Sequence, residues 1–489
     1  LPRQNQTGMN IRFVLNILGR VLIILGLFMC TNFIWVAVYE EATFWGHFYA
    51  CLITLLGGAG LFLGSSINLK PSLGLRESYL TVTFAWVVIS AFSTLPYLFT
   101  QSIATFEDAF FESVSGLTTT GASILNDIEA LPRSVLYWRS MTHWIGGMGI
   151  IVLVVAILPM LRVGGYNLFK SEATGISYEK LTPRTASTAK RLWGIYLGLT
   201  FLQVVFLMFG NMDFFESLCH SFGTIATGGF STQNDSIAGY SPYIQYVITV
   251  FMLLAGVNFT LHYFLIKGKF KKLRRNDELR TYLGIILIAG VVVTVILVRH
   301  LNLGVEEAFR KAFFQVVSII TSTGFITDDY LLWPTRGWFV IFLLFFVGAS
   351  VGSTGGGIKV IRLVVAFKSF YVNFLRLLHP NSVIVLRVNG EVVDDEKVST
   401  ILGFIVLYFV TAFVGTIVMI FMNVDAMTAM ASVISSMGAI GPAFGEVGPT
   451  SNFAMIPDGG KFFLSFLMIL GRLELTTVFV LFTLDFWKD

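Results

Sequence analysis

Leu117-Thr-Thr-Thr-Gly-Ala-Ser123 is a small, hydroxyl-rich segment that ends a short apolar run. Its pattern returns three times, as Thr224-Ile-Ala-Thr-Gly-Gly-Phe-Ser231, Ile320-Thr-Ser-Thr-Gly-Phe-Ile-Thr327 and Ser435-Ser-Met-Gly-Ala-Ile440. Read on their first glycines, Gly121, Gly228, Gly324 and Gly438, the turns lie 107, 96 and 114 residues apart. Four similar glycine turns imply four copies of one unit around a common axis. Backbone carbonyls from four such turns can replace the water around a dehydrated cation. Glycine suits the job because turning carbonyls toward an axis takes backbone angles closed to residues with a side chain. The expected filter is Thr119, Thr120, Gly121; Ala226, Thr227, Gly228; Ser322, Thr323, Gly324; and Ser436, Met437, Gly438. Its ligand groups would be carbonyls holding a monovalent cation.

The rest of the 489-residue chain is membrane-like. It is 55% hydrophobic and only 13% charged, with a mean hydropathy of +0.77, against about 25% charge in soluble proteins. Apolar runs long enough to span a bilayer as helices recur along it. The fold class is therefore an all-α polytopic membrane protein: two opening helices, then four helix–pore-helix–filter–helix repeats in a pseudo-fourfold arrangement. The boundaries read as 9–70 for the opening pair, then 77–165, 186–268, 279–379 and 397–487. Only the third repeat has a second helix that is visibly broken. In each repeat a short segment, too short to span, precedes the turn. These begin near acids: Glu107 and Asp108, Asp213, Glu306 and Glu307, Asp425. Acids there suit a helix dipole. Half-spanning helices and open backbone at membrane depth belong in a protein-lined cavity.

Charge sets the orientation. With the turns outside, Lys and Arg number 23 in the N-terminus and inner linkers against seven in the outer segments. Acids run the other way, 17 outside against nine inside. The positive-inside rule puts the turns on the outer face, where acids concentrate cations at the mouth.

Other features point away from chemistry. Cys30, Cys51 and Cys219 show no metal spacing and imply no disulfide framework. The histidines include no His-x-x-x-His pair. His143, Trp144 and the glycines around them read as close helix packing, His220 as a satisfied packing histidine, and Gly57, Gly58, Gly60 and Gly64 as a helix contact. Leu1 to Gly8 reads as a polar remnant rather than a signal peptide. No residue is assigned acid–base or covalent chemistry, so a non-enzyme without a bound cofactor is expected.

Two features stand out beside the turns. Gly348-Ala-Ser-Val-Gly-Ser-Thr-Gly-Gly-Gly357 holds five glycines in ten residues between apolar runs. It cannot hold a helix, since each glycine costs about 1 kcal/mol against alanine. At membrane depth it must line a cavity or be packed in protein. A phosphate-binding loop is excluded, because Lys359 comes one residue late, Val360 replaces the Ser/Thr and no strand precedes it. Arg472 lies 15 residues before Trp487 in an apolar run, roughly 22 Å along a continuous helix. A charge at that depth faces a partner or a water-filled path. Glu474 is a poor partner, as residues two apart on a helix face differently.

Thr118-Thr-Thr-Gly121-Ala, Ala226-Thr-Gly228-Gly-Phe-Ser231, Trp144-Ile-Gly-Gly-Met-Gly-Ile150, Lys180-Leu-Thr-Pro-Arg184, Gly352-Ser-Thr-Gly-Gly-Gly-Ile-Lys359 and Gly471-Arg-Leu-Glu474 resemble the TrkH family. These are membrane subunits of bacterial Trk potassium uptake systems, within the Trk/Ktr/HKT superfamily. The resemblance covers nearly the whole chain. It implies a pseudo-tetrameric pore in the inner membrane, surrounded by lipid, that carries potassium and not nucleic acid. It also implies a homodimer and control by a cytosolic nucleotide-binding ring, TrkA. It makes Gly348, Ser350, Gly352, Ser353, Thr354, Gly355, Gly356 and Gly357 a gate beneath the filter, and Arg472 a positive barrier in the cavity below. The turns depart from the Thr-Val-Gly-Tyr-Gly run of potassium channels. The filter is therefore expected to be shorter and less selective. A symporter would want midplane carboxylates, for which Glu474 is the best candidate. An ATP-driven pump would want a nucleotide motif, and none is read in this chain.

Overall fold

A computed structural model describes residues 9–66, 75–149 and 185–488. Helices α1 (Ile11–Met29) and α2 (Asn32–Val38) make the opening crossing, and α3 (Phe44–Ser65) returns. Their backbones approach at two glycines. A Cβ on Gly19 would sit 2.7 Å from the Gly58 carbonyl, and one on Gly58 would sit 2.9 Å from the Gly19 carbonyl. Gly57 packs on Phe92, whereas Gly60 and Gly64 face open space, so the small-residue contact uses half of the expected cluster. The Cys30 and Cys51 thiols meet across this helix pair at 2.8 Å.

Four units follow. Unit one has α4 (Leu75–Ser93), α5 (Leu95–Phe99), the short α6 (Phe106–Leu117) and α7 (Arg133–Gly147). Unit two has α8 (Thr185–Phe209), the short α9 (Phe214–Ala226), α10 (Pro242–Ala255) and α11 (Phe259–Ile266). A basic turn of helix, α12 (Phe270–Arg274), leads to unit three: α13 (Asp277–Leu301), the short α14 (Val305–Ile320), α15 (Thr335–Leu344) and α16 (Val360–Leu378). A hairpin of β1 (Arg387–Val388) and β2 (Glu391–Val392) precedes unit four, which has α17 (Asp395–Phe421), the short α18 (Ala426–Gly438), α19 (Asp458–Arg472) and α20 (Leu475–Phe479). A last turn, α21 (Leu484–Trp487), closes the chain. Among the described residues six helices are long and apolar enough to cross a bilayer, and two bent pairs raise the number to eight.

The short helices start on caps. Asp213 Oδ1 accepts from the Glu216 amide at 2.8 Å, and Asp425 Oδ2 from the Met427 amide at 3.0 Å. In units one and three the caps are Thr105 and Gly304, and the acids occupy the first turn instead. Capping satisfies amides that would otherwise lack partners.

The second helices correct the sequence reading. Unit three is not the only one broken. In unit two, α10 and α11 meet at 99°, and in unit four α19 and α20 meet at 111°. Single polar residues in apolar runs make these breaks. Asn258 Oδ1 caps α11 by accepting from the Thr260 amide at 2.8 Å, and Glu474 takes a left-handed φ of 61°. Arg472 therefore ends its helix, and the continuous-helix distance to Trp487 does not apply. The latter part of repeat 77–165, the linker over 163–184 and the Lys180–Arg184 motif lie outside the described residues.

The units pack in sequence. Helix α7 lies against α9, α10 against α14, and α19 against α6. Between units three and four, the Tyr330 hydroxyl donates to the Ala443 carbonyl at 2.7 Å, and Phe345 meets Phe444 at 5.1 Å between ring centroids. Phe201, Ile288 and Phe413, on the long first helices, are exposed, as suits lipid-facing sides.

Candidate ion pathway

Each short helix runs C-terminus first into a turn, and the four turns share one backbone trace. Thr119, Thr227, Ser322 and Ala439 take left-handed φ values of 57°, 54°, 55° and 53°. Two residues on, Gly121, Gly229, Gly324 and Gly441 take φ values of 78°, 83°, 79° and 95°. Between them, each middle amide donates to the carbonyl five residues earlier. These bonds are Thr120 to Ser115 (2.9 Å), Gly228 to Gly223 (2.8 Å), Thr323 to Ser318 (2.8 Å) and Ile440 to Ser435 (3.0 Å).

The shared trace shifts the register in two units. In units one and three the trace covers Thr119–Gly121 and Ser322–Gly324, the residues named from the sequence. In unit two the trace covers Thr227, Gly228 and Gly229, and Ala226 is the last residue of α9. In unit four it covers Ala439, Ile440 and Gly441, while Ser436, Met437 and Gly438 form the last turn of α18. The reason is steric: only the glycine two residues past the left-handed residue needs positive φ in every unit.

These glycines close a ring. A Cβ on Gly121 would collide with the Gly228 carbonyl, one on Gly229 with that of Thr323, and one on Gly324 with that of Ile440. A Cβ on Gly441 would lie 2.7 Å from the Thr120 carbonyl, which returns the series to unit one. Each turn's glycine thus backs onto the middle carbonyl of the next. The C-terminal ends of the short helices add partial negative charge nearby.

Two cavities adjoin the ring. One of about 210 Å³ is lined by Gly121, Gly229, Gly324, Pro442 and residues that follow the turns, including Asn126 and Asn234. Near this mouth Asp127 accepts from Asn234 Nδ2 at 3.0 Å. That bond leads the causes holding the Asp127 carboxyl below its ordinary range. The other cavity, about 140 Å³, is lined by Gly352–Gly357, Lys359, Met437, Arg472 and Glu474.

The glycine-rich stretch lies under the turns and bonds to the helix breaks. Gly356 N donates to Ser322 Oγ at 2.6 Å, and Thr354 Oγ1 donates to the Ile225 carbonyl at 3.0 Å. A Cβ on Gly355 would meet the Thr321 carbonyl at 2.7 Å. Ser350 N donates to the Gly256 carbonyl (3.1 Å), and Phe259 N donates to the Gly352 carbonyl (2.9 Å), so the break in unit two and the loop satisfy each other's open backbone. Ser353 Oγ donates within the loop to the Ser350 carbonyl at 2.6 Å. Gly348 N donates to the Ile358 carbonyl at 2.8 Å and closes the loop's base.

Arg472 joins this loop to unit one. It donates to the Thr354 carbonyl at 2.7 Å, to the Gly147 carbonyl at 2.9 Å, to the Gly146 carbonyl, and to Thr119 Oγ1 at 3.4 Å. Glu474 is engaged by Arg362, and Lys359 Nζ donates to the Gly355 carbonyl.

Three buried side chains buttress the turns from behind. Glu112 and Arg139 pair at 2.6 Å, both almost fully buried. Glu112 also accepts from Ser123 Oγ and the Ile124 amide, each at 3.0 Å, so it holds the segment after the first turn. Arg139 reaches the second turn through the Ser231 carbonyl at 2.8 Å and stacks over Phe230 at 3.6 Å. His143 Nδ1–H donates to the Gly116 carbonyl at 2.6 Å, and its Nε2 accepts from the Phe230 amide at 3.1 Å. Those partners set the tautomer. The histidine read as packing thus ties two turns together. His220 stays structural, contacting the Glu216 carbonyl and Ser231 Oγ.

Sequence reasoning named a glycine turn in each unit, the loop and Arg472. It missed Gly229, Ala439, Ile440 and Gly441, the Glu112–Arg139 pair, and Lys359 as a wall of the inner cavity. The pair carried a readable signal, since Glu112 and Arg139 are the one acid and the one arginine past the first turns of their helices.

The TrkH family profile, described as a cation transport protein, matches residues 48–488. The Trk system potassium uptake protein TrkH of Escherichia coli K12 is 40% identical over 425 residues, covering 86% of this chain and 88% of that protein. The protein of the same name from Halomonas elongata is 36% identical over 485 residues, covering 98% of this chain and all of that one. The crystal structure of the potassium transporter TrkH from Vibrio parahaemolyticus superposes with a TM-score of 0.87 at 34% identity, over 98% of this chain and all of that one. The chain belongs to the TrkH family of cation transport proteins.

Proposed function

We propose that this chain takes up potassium across the bacterial inner membrane through a pore on the axis of the four turns. The observation that carries the reading is the closed ring in which each turn glycine backs onto the next turn's carbonyl. Carbonyls of Thr119–Gly121, Thr227–Gly229, Ser322–Gly324 and Ala439–Gly441 replace the ion's water in this reading. Potassium is the cargo named for its relatives. The loop over Gly348–Gly357 obstructs the path from the inner side, and Arg472 adds a positive charge there. Control comes from a cytosolic nucleotide-binding subunit of the TrkA type, and two copies of the chain associate as a homodimer.

A symporter would use a midplane carboxylate. Glu474, the best candidate, is engaged by Arg362, so the passive pore is preferred. The experiment is ion flux through purified protein in liposomes. Potassium, rubidium and caesium are expected to permeate, and sodium less. Equal flux of sodium and potassium, or proton-coupled uptake, overturns this reading.

A further inference from the structure

Arg20 is a cation inside the first crossing. It follows Gly19, where α1 meets α3, and an apolar run comes after it. Its Nε and Nη1 atoms are buried, and no acceptor reaches them among the described residues. Its guanidinium carbon stands 5.1 Å from the centre of the Phe62 ring on α3. A ring face attracts a cation but offers no oxygen to its N–H donors. A charge in a membrane helix calls for an anion or a water-filled path. Helix α1 packs mainly on α3 and α4 and lines neither cavity of the ion path, so the need is for an anion.

The geometry says from which side the anion comes. Helical side chains lean toward the helix N-terminus, and the charge pattern puts that end of α1 on the inner face. Phe62 agrees, since it lies three residues before Ser65, the last of α3, roughly 5 Å along the axis. The guanidinium thus reaches toward the level of the inner head groups, as long cationic side chains do. This side of α1 is open to the bilayer. Arg20 is half-buried, and Leu27, seven residues on, is 59% exposed. Asn16, a turn closer to the inner end, is spent on α3. It donates to Ser65 Oγ and Ser66 Oγ, each at 3.1 Å, and to the Phe62 carbonyl at 3.2 Å. Arg12, a further turn away, is exposed. Glu77 of α4 accepts from the Asn10 amide at 3.4 Å. The stretch 67–74, between α3 and α4, holds Lys70 and neither Asp nor Glu.

We propose that Arg20 is the phosphate ligand of an anionic phospholipid of the inner leaflet, seated against α1 and Phe62, with Arg12 as its second cation. A guanidinium fork suits a phosphate through two parallel N–H bonds. Two cations at one inner-leaflet site favour a lipid with net negative charge over a zwitterionic one. The bound lipid braces the opening pair, whose α1 packs on α4 of unit one. The seat depends neither on the turns nor on the glycine-rich loop.

The test is native mass spectrometry of the full, delipidated chain in detergent, titrated with phosphatidylglycerol and with phosphatidylcholine. The parent is expected to bind phosphatidylglycerol about tenfold or more tightly, the scale of a charge-assisted phosphate contact. Arg20→Met keeps an apolar stem on Phe62 and is expected to lose most of that preference. Arg20→Lys is expected to keep part of it, because a point charge replaces the fork. Arg299→Ala removes an exposed cation near the other face of the membrane, at the end of α13, and is expected to match the parent. No preference in the parent, or an unchanged preference in Arg20→Met, overturns the proposal. An equal loss in Arg299→Ala also overturns it, as a general effect of charge. Displacement of phosphatidylglycerol by millimolar inorganic phosphate makes this a free-anion site and sinks the lipid assignment. A dimer that dissociates in Arg20→Met with lipid binding intact gives Arg20 to a carboxylate of a second copy, and sinks it equally. One measurement needs no variant to fold. In the parent, phosphatidylglycerol with a photoreactive head group is expected to label peptides within 11–29 or 59–66, and labelling confined to other peptides rules out this seat.

Discussion

A side chain on any of four glycines would strike a neighbouring turn's carbonyl, so the ring's geometry hangs on single residues. Gly441 and Gly438 separate the structural register from the apparent one. Gly441 has a φ of 95°, and an added Cβ would meet Gly121 and Thr120 backbone. Gly438 is helical, and its Cβ would meet mainly the flexible Ile440 side chain at 2.9 Å. Gly441→Ala is therefore expected to collapse the potassium-over-sodium flux ratio, while Gly438→Ala keeps most of it. The reverse ranking in liposome flux returns the filter to Ser436–Gly438. The register was legible in one way that the hydroxyl-glycine pattern hides. Thr105 to Gly121, Asp213 to Gly229 and Asp425 to Gly441 are each sixteen residues from cap to glycine. In these three units the distance from cap to glycine marks the turn, whereas in unit three, capped by Gly304, Gly324 lies twenty residues on. Behind the ring, Arg139→Ala leaves Glu112 buried without its cation. Breaking a buried pair this way costs about 3–5 kcal/mol, so a lowered unfolding temperature in detergent is expected. Unchanged thermal stability at equal expression shows that the pair is not structural.

The elements that decide conduction in this reading are broken helices. Apolar runs over 243–266 and 461–486 look continuous because hydropathy averages over Asn258 in the first and over Arg472 and Glu474 in the second. What makes each break tolerable is a tertiary partner, and sequence does not display it. The loop's Ser350 and Gly352 satisfy the Gly256 and Phe259 backbone, and Arg472 satisfies the carbonyls that end α7. The glycine-rich loop was legible since five glycines in ten residues cannot be helix. Arg472 was legible as a charge out of place, though the reading assumed a helix that in fact ends there. Its bonds make it a clamp on Thr354, and in the proposed reading it is also a positive charge under the ring. Both predict the same sign. Arg472→Ala is expected to raise single-channel conductance or liposome flux several-fold, since a charge repels cations strongly where the dielectric is low and the loop loses an anchor. Reduced or unchanged current at equal surface expression leaves Arg472 a purely structural residue.

At the scale of the whole molecule, the four units differ where they face inward and agree where they face the ring. The four turns share one trace, yet among the described residues only unit three carries a long loop between its two second-helix halves, and only unit four brings an arginine beneath the ring. One obstruction closes a single path, so asymmetry in one unit is enough. The obstruction must still be moved by something. The inner linkers hold most of the chain's cations, an electrostatic surface suited to a soluble partner. The glycine-rich stretch lacks the lysine spacing and preceding strand of a phosphate loop. Here it lies inside the helix bundle, bonded to Ser322 and to the Ile225 carbonyl. In the proposed reading, nucleotide dependence comes from a separate subunit. The purified chain alone is expected to bind neither ATP nor NADH in calorimetry at micromolar concentrations. Adding the cytosolic subunit is expected to make liposome flux respond to nucleotide. The Ser350–Gly355 deletion is expected to leak with or without that subunit, and to keep a preference for potassium because the ring above is intact. Tight nucleotide binding by this chain alone would place the sensor within it and remove the reason for a partner.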